Sequence, residues 1–281
     1  MLHPRLDEQT AHLSALLATS PDSVQLLTLR GTVYFQHEDF DLALADFEHA
    51  LSHAPKDAAL IRHKAATFHQ LGLSNAAITV LSEHLEIANT DADAFLLRGR
   101  VLRSLHRLTE AAQDFEQVLV ICESARPEVF LELADVYRES ADFNACATTL
   151  RKGVDRLGQL GHLLEPLARA QIAIADYSAA EATIEQFECT FPGSVLPALL
   201  TAERLDAMGD RSAAMRCWRC SQWADAWPST RTEGDCGSCV DTAATGTCRR
   251  WNLGGKRWKT ASASSAPRPL AYRPNTSDWP S

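Results

Sequence analysis

The sequence predicts an all-α solenoid built from stacked helix–turn–helix units, and three observations carry that prediction. Marked positions recur every 34 residues over most of the chain, the signature of a repeat architecture. Within each period the apolar residues fall three or four apart, which is helical spacing. Small residues return at fixed places, where two helices must approach closely. No such unit can bury its apolar stripe alone, so neighbours have to stack.

The first unit, residues 24–57, carries Leu27, Gly31, Tyr34, Phe40, Ala43, Phe47, Ala50, Leu51 and Pro55. One period later stand Ile61, Ala65, Phe68, Ala77, Leu81 and Leu85, and then Phe95, Gly99, Leu102, Leu108, Ala111, Phe115 and Leu119. One extra residue enters. The fourth unit follows with Phe130, Ala134, Tyr137, Phe143, Cys146 and Leu150, and the fifth with Leu164, Ala168, Tyr177, Ala180, Ile184 and Pro192. The sixth has Ala198, Ala202, Leu205, Gly209, Ala214 and Trp218. Before all of these, Leu13, Leu16, Leu17 and Pro21 match the second half of a unit. Short turns such as QHEDF, QLGLS and ESADF join the helices. Pro55 and Pro192 close units because proline cannot continue a helix.

These positions resemble the tetratricopeptide repeat (TPR) family, whose unit is a 34-residue helix–turn–helix. The resemblance covers about residues 3–218. It implies a right-handed superhelix that acts as a non-catalytic protein–protein interaction scaffold. The expected organisation is a half-repeat over 1–22 that supplies only a second helix, about six repeats over 23–218, and a disordered tail over 219–281.

The tail differs in composition. All six Trp lie at 218 or later and all ten Phe before 192. Residues 219–281 hold three Leu, Ile or Val against fifteen Ser or Thr, too little apolar surface to offset ordering entropy. Three readings compete there. Cys217, Cys220, Cys236 and Cys239 form two CxxC pairs with 15 residues between them, the spacing of a four-thiolate zinc site. The first pair, however, continues a helix without a turn-forming Gly or Pro. The second reading is a native tail with a few basic contacts. The third is a shifted reading frame, which accounts for the loss of the repeat in mid-helix together with the gain of Trp, Cys and Arg.

The net charge of −9 argues against a general nucleic-acid partner. No apolar run is long enough to span a membrane. The N-terminus lacks the apolar centre of a signal peptide, so the expected compartment is the cytoplasm. A start site inside a longer frame would also give this N-terminal half-unit, with an export signal lost.

Chemistry is sparse. The sequence has no GxGxxG, P-loop, GxSxG or HExxH. No cofactor is expected, and no metal site apart from the cysteine alternative. Asn89, Asp91 and Asp93 begin like a calcium loop but lack its glycine and its closing glutamate, so they read as an inter-repeat turn. The ten histidines show no ligand spacing; His37, His53 and His63 read as surface residues. Cys146 takes an alanine slot and reads as a buried, inert thiol.

The family resemblance implies that residues 2, 5, 9, 12 and 13 of each first helix line a groove. Carried over, these positions include Thr28, Thr32, Arg62, His69, Asp93, Arg100, Arg103, Glu128, Leu131, Asp135, Arg138, His162, Glu165 and Arg169. Thr28, Thr32 and His63 stand where the chaperone-type carboxylate clamp has Lys and Asn, so that clamp is absent. Arg62, His69, Arg100, Arg103, Arg138 and Arg169 form a candidate groove for an acidic or extended peptide, with arginine offering bidentate contacts. The plainer reading is a mixed solvated face, because acids share the same positions. Two other readings are a zinc-binding adaptor and an accessory subunit of an enzyme complex.

Overall fold

The structure, a computed structural model, describes residues 4–122, 126–158 and 160–224. The chain divides into two units after Arg231, and the second lies wholly outside the described residues. So does most of the tail, with its expected disorder or frame shift.

Every described element is a helix. α1 (Pro4–Thr19) comes first. Six helix pairs follow: α2 (Val24–Gln36) with α3 (Phe40–His53), α4 (Ala58–Gln70) with α5 (Ser74–Ile87), and α6 (Ala92–Ser104) with α7 (Leu108–Ile121). The last three are α8 (Pro127–Glu139) with α9 (Phe143–Leu157), α10 (Gly161–Ala173) with α11 (Tyr177–Thr190), and α12 (Leu196–Ala207) with α13 (Arg211–Ala224). Each helix packs on its neighbours in sequence, and α2 also touches α4, α4 touches α6, α8 touches α10 and α10 touches α12. First helices therefore form one layer of a TPR solenoid. α13 continues through Ala224, past Trp218 where the repeat pattern ends.

The same residue slot turns the chain in every unit. Glu38, Gly72, His106, Ala141, Ala175 and Gly209 all have positive φ, from 57° to 88°. A left-handed residue after the first helix reverses the chain, and the next residues start the second helix. Asp142, Asp176 and Asp210 then accept hydrogen bonds from the amides of Ala145, Ala179 and Ala213 at 3.0–3.2 Å. Ser23, Asp57 and Asp91 cap first helices in the same way.

The core shows complementarity slot by slot. A Cβ on Gly31 would meet the Phe47 ring at 2.7 Å, and one on Gly99 would meet Phe115 at 3.0 Å. In the second, fourth and fifth units the small slot holds alanine and its partner slot a smaller side chain, with Ala65 and Leu81 in one cluster, Ala134 and Leu150 in another, and Ala168 and Ile184 in a third. The sixth unit departs from this, with Ala202 and Trp218 in the two slots and Trp218 44% exposed. The two phenylalanine rings that are fully buried in this slot, Phe47 and Phe115, both face glycine, which leaves room for them at native packing density.

A second rule governs the buried polar slots. Arg30 grips Asp46 with two hydrogen bonds of 2.7 Å and donates to Ser14 at 3.1 Å. Two periods later, Arg98 grips Asp114 at 2.8 and 2.6 Å and donates to Ser82 at 3.0 Å. Both aspartates are buried. In the fourth and fifth units the arginine slot holds Leu133 and Leu167, and the aspartate slot holds Thr149 and Thr183, all buried. A buried aspartate thus appears only where an arginine can satisfy it, because an unpaired buried charge is costly.

Candidate functional site

The first helices bring the candidate arginines onto one face, and the geometry sorts them by partner. Arg62 of α4 donates to Asp91 at 2.6 Å, just before α6. Arg100 of α6 chelates Glu132 of α8 through Nε and Nη2. Arg103 of α6 bonds Glu139 of α8 and lies 3.5 Å from Asp135. These three arginines bridge successive units. Arg138 and Arg169 instead find acids on their own helices, Asp135 and Glu165, at 2.7 and 2.8 Å. Arg169 also reaches Glu203 of α12 at 3.3 Å. His69 has a partner within its own unit, with Nδ1 2.9 Å from the hydroxyl of Ser74. The arginine contacts make the face mixed in charge and ion-paired.

A cleft of about 530 Å³ opens between α8 and α10. Leu131, Asp135 and Arg138 form one wall, and His162, Glu165, Pro166 and Arg169 the other, over a floor that includes Phe143 and Cys146. Several of these walls occupy the groove positions carried over from the family. Pro166 lies inside α10 and has no N–H. The carbonyl of His162, one turn earlier, therefore receives no helical bond from it. Burial pushes the Cys146 thiol up to about 11, with the Arg138 charge opposing weakly, so the floor is not nucleophilic at neutral pH.

Asp91 is the centre of a polar cluster with three partners. It caps α6 through the Ala94 amide at 3.1 Å and lies 2.9 Å from Nε2 of buried His84, besides holding Arg62. Burial works to raise its pKa, but the bonds from His84, Ala94 and Arg62 outweigh that and hold it below the ordinary 3.8. This is the inter-repeat turn expected from Asn89–Asp93.

Thr28 and Thr32 donate their hydroxyls to the carbonyls one turn back, Val24 and Thr28, both at 2.7 Å. His63 stacks on Phe47, with ring centroids 5.1 Å apart. The surface reading of His37 and His63 is corrected: the His37 side chain is 11% exposed, and His63 is half-buried. His53 does lie at the surface. The reading of histidines without ligand spacing is also corrected. His49 and His53 are four apart on α3, and both approach Asp22. Sequence reasoning judged the histidines singly and missed that interval.

Of the cysteine alternative, Cys217 is buried on α13 and Cys220 lies on the same helix. Cys236 and Cys239 lie outside the described residues. Among the described residues, no helix is long and apolar enough to cross a membrane.

No protein-family model matches the chain, and no curated protein matches it. Solved structures do. The C-terminal part of a TPR repeat-containing protein from Cytophaga hutchinsonii is 18% identical, with a TM-score of 0.65 over 80% of this chain and 92% of that one. A tetratricopeptide repeat protein from Parabacteroides merdae is 19% identical, with a TM-score of 0.51 over 78% of this chain and 86% of that one. YrrB, described as a TPR protein with an unusual peptide-binding site, is 15% identical, with a TM-score of 0.52 over 64% of this chain and 92% of that one. At these identities the likeness concerns the fold, and the fold is the tetratricopeptide-repeat solenoid.

Proposed function

We propose that the protein is a non-catalytic interaction scaffold that seats an extended segment of a partner protein or peptide in the cleft between α8 and α10. The carrying observation is the difference among the arginines. Arg62, Arg100 and Arg103 act as struts between first helices, each bonded to an acid across the gap, and Arg100 grips both oxygens of Glu132. Arg138 rests on Asp135 of its own helix, and Arg169 on Glu165 of its own helix with longer contacts of 3.3 and 3.4 Å to Glu203 of α12; they are 59% and 50% exposed. Exposed pairs of this kind contribute little, about 0–1 kcal/mol, so an incoming carboxylate can replace them at small cost. The released Asp135 and Glu165 remain within reach of a ligand's amides or cations. The likeness to YrrB, itself described as peptide-binding, supports the class of ligand.

The test is a displayed library of random peptides selected on the full chain. Selected peptides should carry acids and lose at least ~tenfold in affinity on Arg138→Glu with Arg169→Glu, about 1.4 kcal/mol, with helicity unchanged. Peptides that bind this double variant as tightly as the parent would refute the cleft assignment.

A further inference from the structure

A second site is formed at the other end of the solenoid, away from the cleft. Asp22 lies in the turn between α1 and α2. His49 and His53 project from one face of α3, one helical turn apart. Nε2 of His49 lies 3.2 Å from Oδ1 of Asp22, and Nε2 of His53 lies 3.4 Å from the same oxygen. The three candidate ligand atoms all lie within 4.8 Å of one another. The side chains are 44%, 41% and 65% exposed, so solvent ions reach them freely.

From this geometry we propose that Asp22, His49 and His53 bind a divalent transition cation of the zinc class. Four ligands at about 2.0–2.1 Å from a tetrahedral zinc are separated from one another by roughly 3.3 Å. The two measured edges match that separation. Two imidazoles and one carboxylate suit zinc, nickel or copper and do not suit magnesium or calcium, which take oxygen ligands. Both Nε2 atoms would give lone pairs to the metal, so each ring would carry its proton on Nδ1. The fourth position is left to water.

The position of the site gives the metal a structural effect. Asp22 belongs to the turn that joins the N-terminal half-repeat to the first full unit, and the histidines belong to that unit's second helix. A bound cation ties the α1–α2 turn to α3. Such a tie opposes local separation of α1 from the first full unit.

The competing explanation is a histidine–aspartate ion pair with no affinity for metal. Cobalt(II) titrated into the full chain at neutral pH distinguishes the two. The site is expected to take up one equivalent with visible d–d absorption and no thiolate-to-cobalt charge-transfer band, which separates it from cysteine ligation. His53→Ala removes a ligand at an exposed position and should weaken binding by at least ~tenfold, since even supporting residues around a metal cost that much. Zinc should then slow amide exchange in α1 in the parent and leave His53→Ala unchanged. The proposal is overturned if no cobalt binds, if bound cobalt shows only thiolate bands, or if both His49→Ala and His53→Ala bind as tightly as the parent.

Discussion

Ala141 and Ala175 turn the chain at φ 60°, a region that L-residues other than Asn and Asp rarely enter. An alanine held there costs about 1–2 kcal/mol, because its Cβ crowds the following carbonyl. Glycine removes that cost but adds unfolded-state freedom of about 0.4–1 kcal/mol. Ala141→Gly and Ala175→Gly should therefore each stabilise the fold by about 0.5–1 kcal/mol, the difference between the two effects. The two sites belong to different units and share no partner, so their effects should add. The sequence supplies the reciprocal control. Gly72 turns the same slot at φ 77°, and a Cβ there meets nothing within 4 Å. Gly72→Ala adds no clash, so backbone strain less the gain from a stiffer unfolded chain should destabilise by about the same 0.5–1 kcal/mol. Urea denaturation followed by helical circular dichroism reads the midpoints, and amide exchange in the affected unit localises each change. A lowered midpoint for Ala141→Gly, or an unchanged one for Gly72→Ala, would refute the claim that backbone conformation sets residue choice at this slot.

Two further outcomes are expected. Gly99→Ala forces a Cβ against Phe115 and should cost about 1–3 kcal/mol as overpacking, reduced by about 1 kcal/mol of helix propensity; Phe115→Leu in the same chain should recover part of the loss, and a double-mutant cycle without coupling would contradict the pairing. Burial, followed by the Arg62 charge, holds His63 below the ordinary 6.5. Its folded form resists the proton that its unfolded form accepts, so stability is full above about pH 6.5 and falls as pH drops through the lowered value. His63→Phe should flatten this limb in denaturation midpoints measured against pH. The depressed Asp91 leaves a second loss that begins below 3.8.

The repeat was legible because burial writes the same slots again and again. Leu27, Ala43 and Phe47 recur as aliphatic, small and bulky residues that the structure buries. Of the positions that the family resemblance implies, Asp135, Arg138, Glu165 and Arg169 line the cleft. What those arginines hold was not legible. Arg100 and Glu132 sit in different units, and the interval between them differs from that of Arg103 and Glu139. Side-chain reach, rather than period, sets such pairs. The Arg30–Asp46 and Arg98–Asp114 hubs did leave a trace, the same interval in two units, but it emerges only when charged slots are tabulated beside apolar ones. The Asp22–His49–His53 cluster was half visible as a four-residue interval, and its third member depends on how α1 and α3 pack around α2.

The recurrence of the Ser14–Arg30–Asp46 hub as Ser82–Arg98–Asp114 sets which lengths of chain can be gained or lost. Excising residues 24–91 would join α1 directly to α6 in register. Ser14 would then stand where Ser82 stood, and the Ser23 cap would replace that of Asp91. Excising 24–57 alone would instead set Lys64 against Ser14 and dissolve its ion pair with Glu48, now 2.8 Å long. In this half of the molecule the interchangeable module is two repeats long, although the backbone period is one.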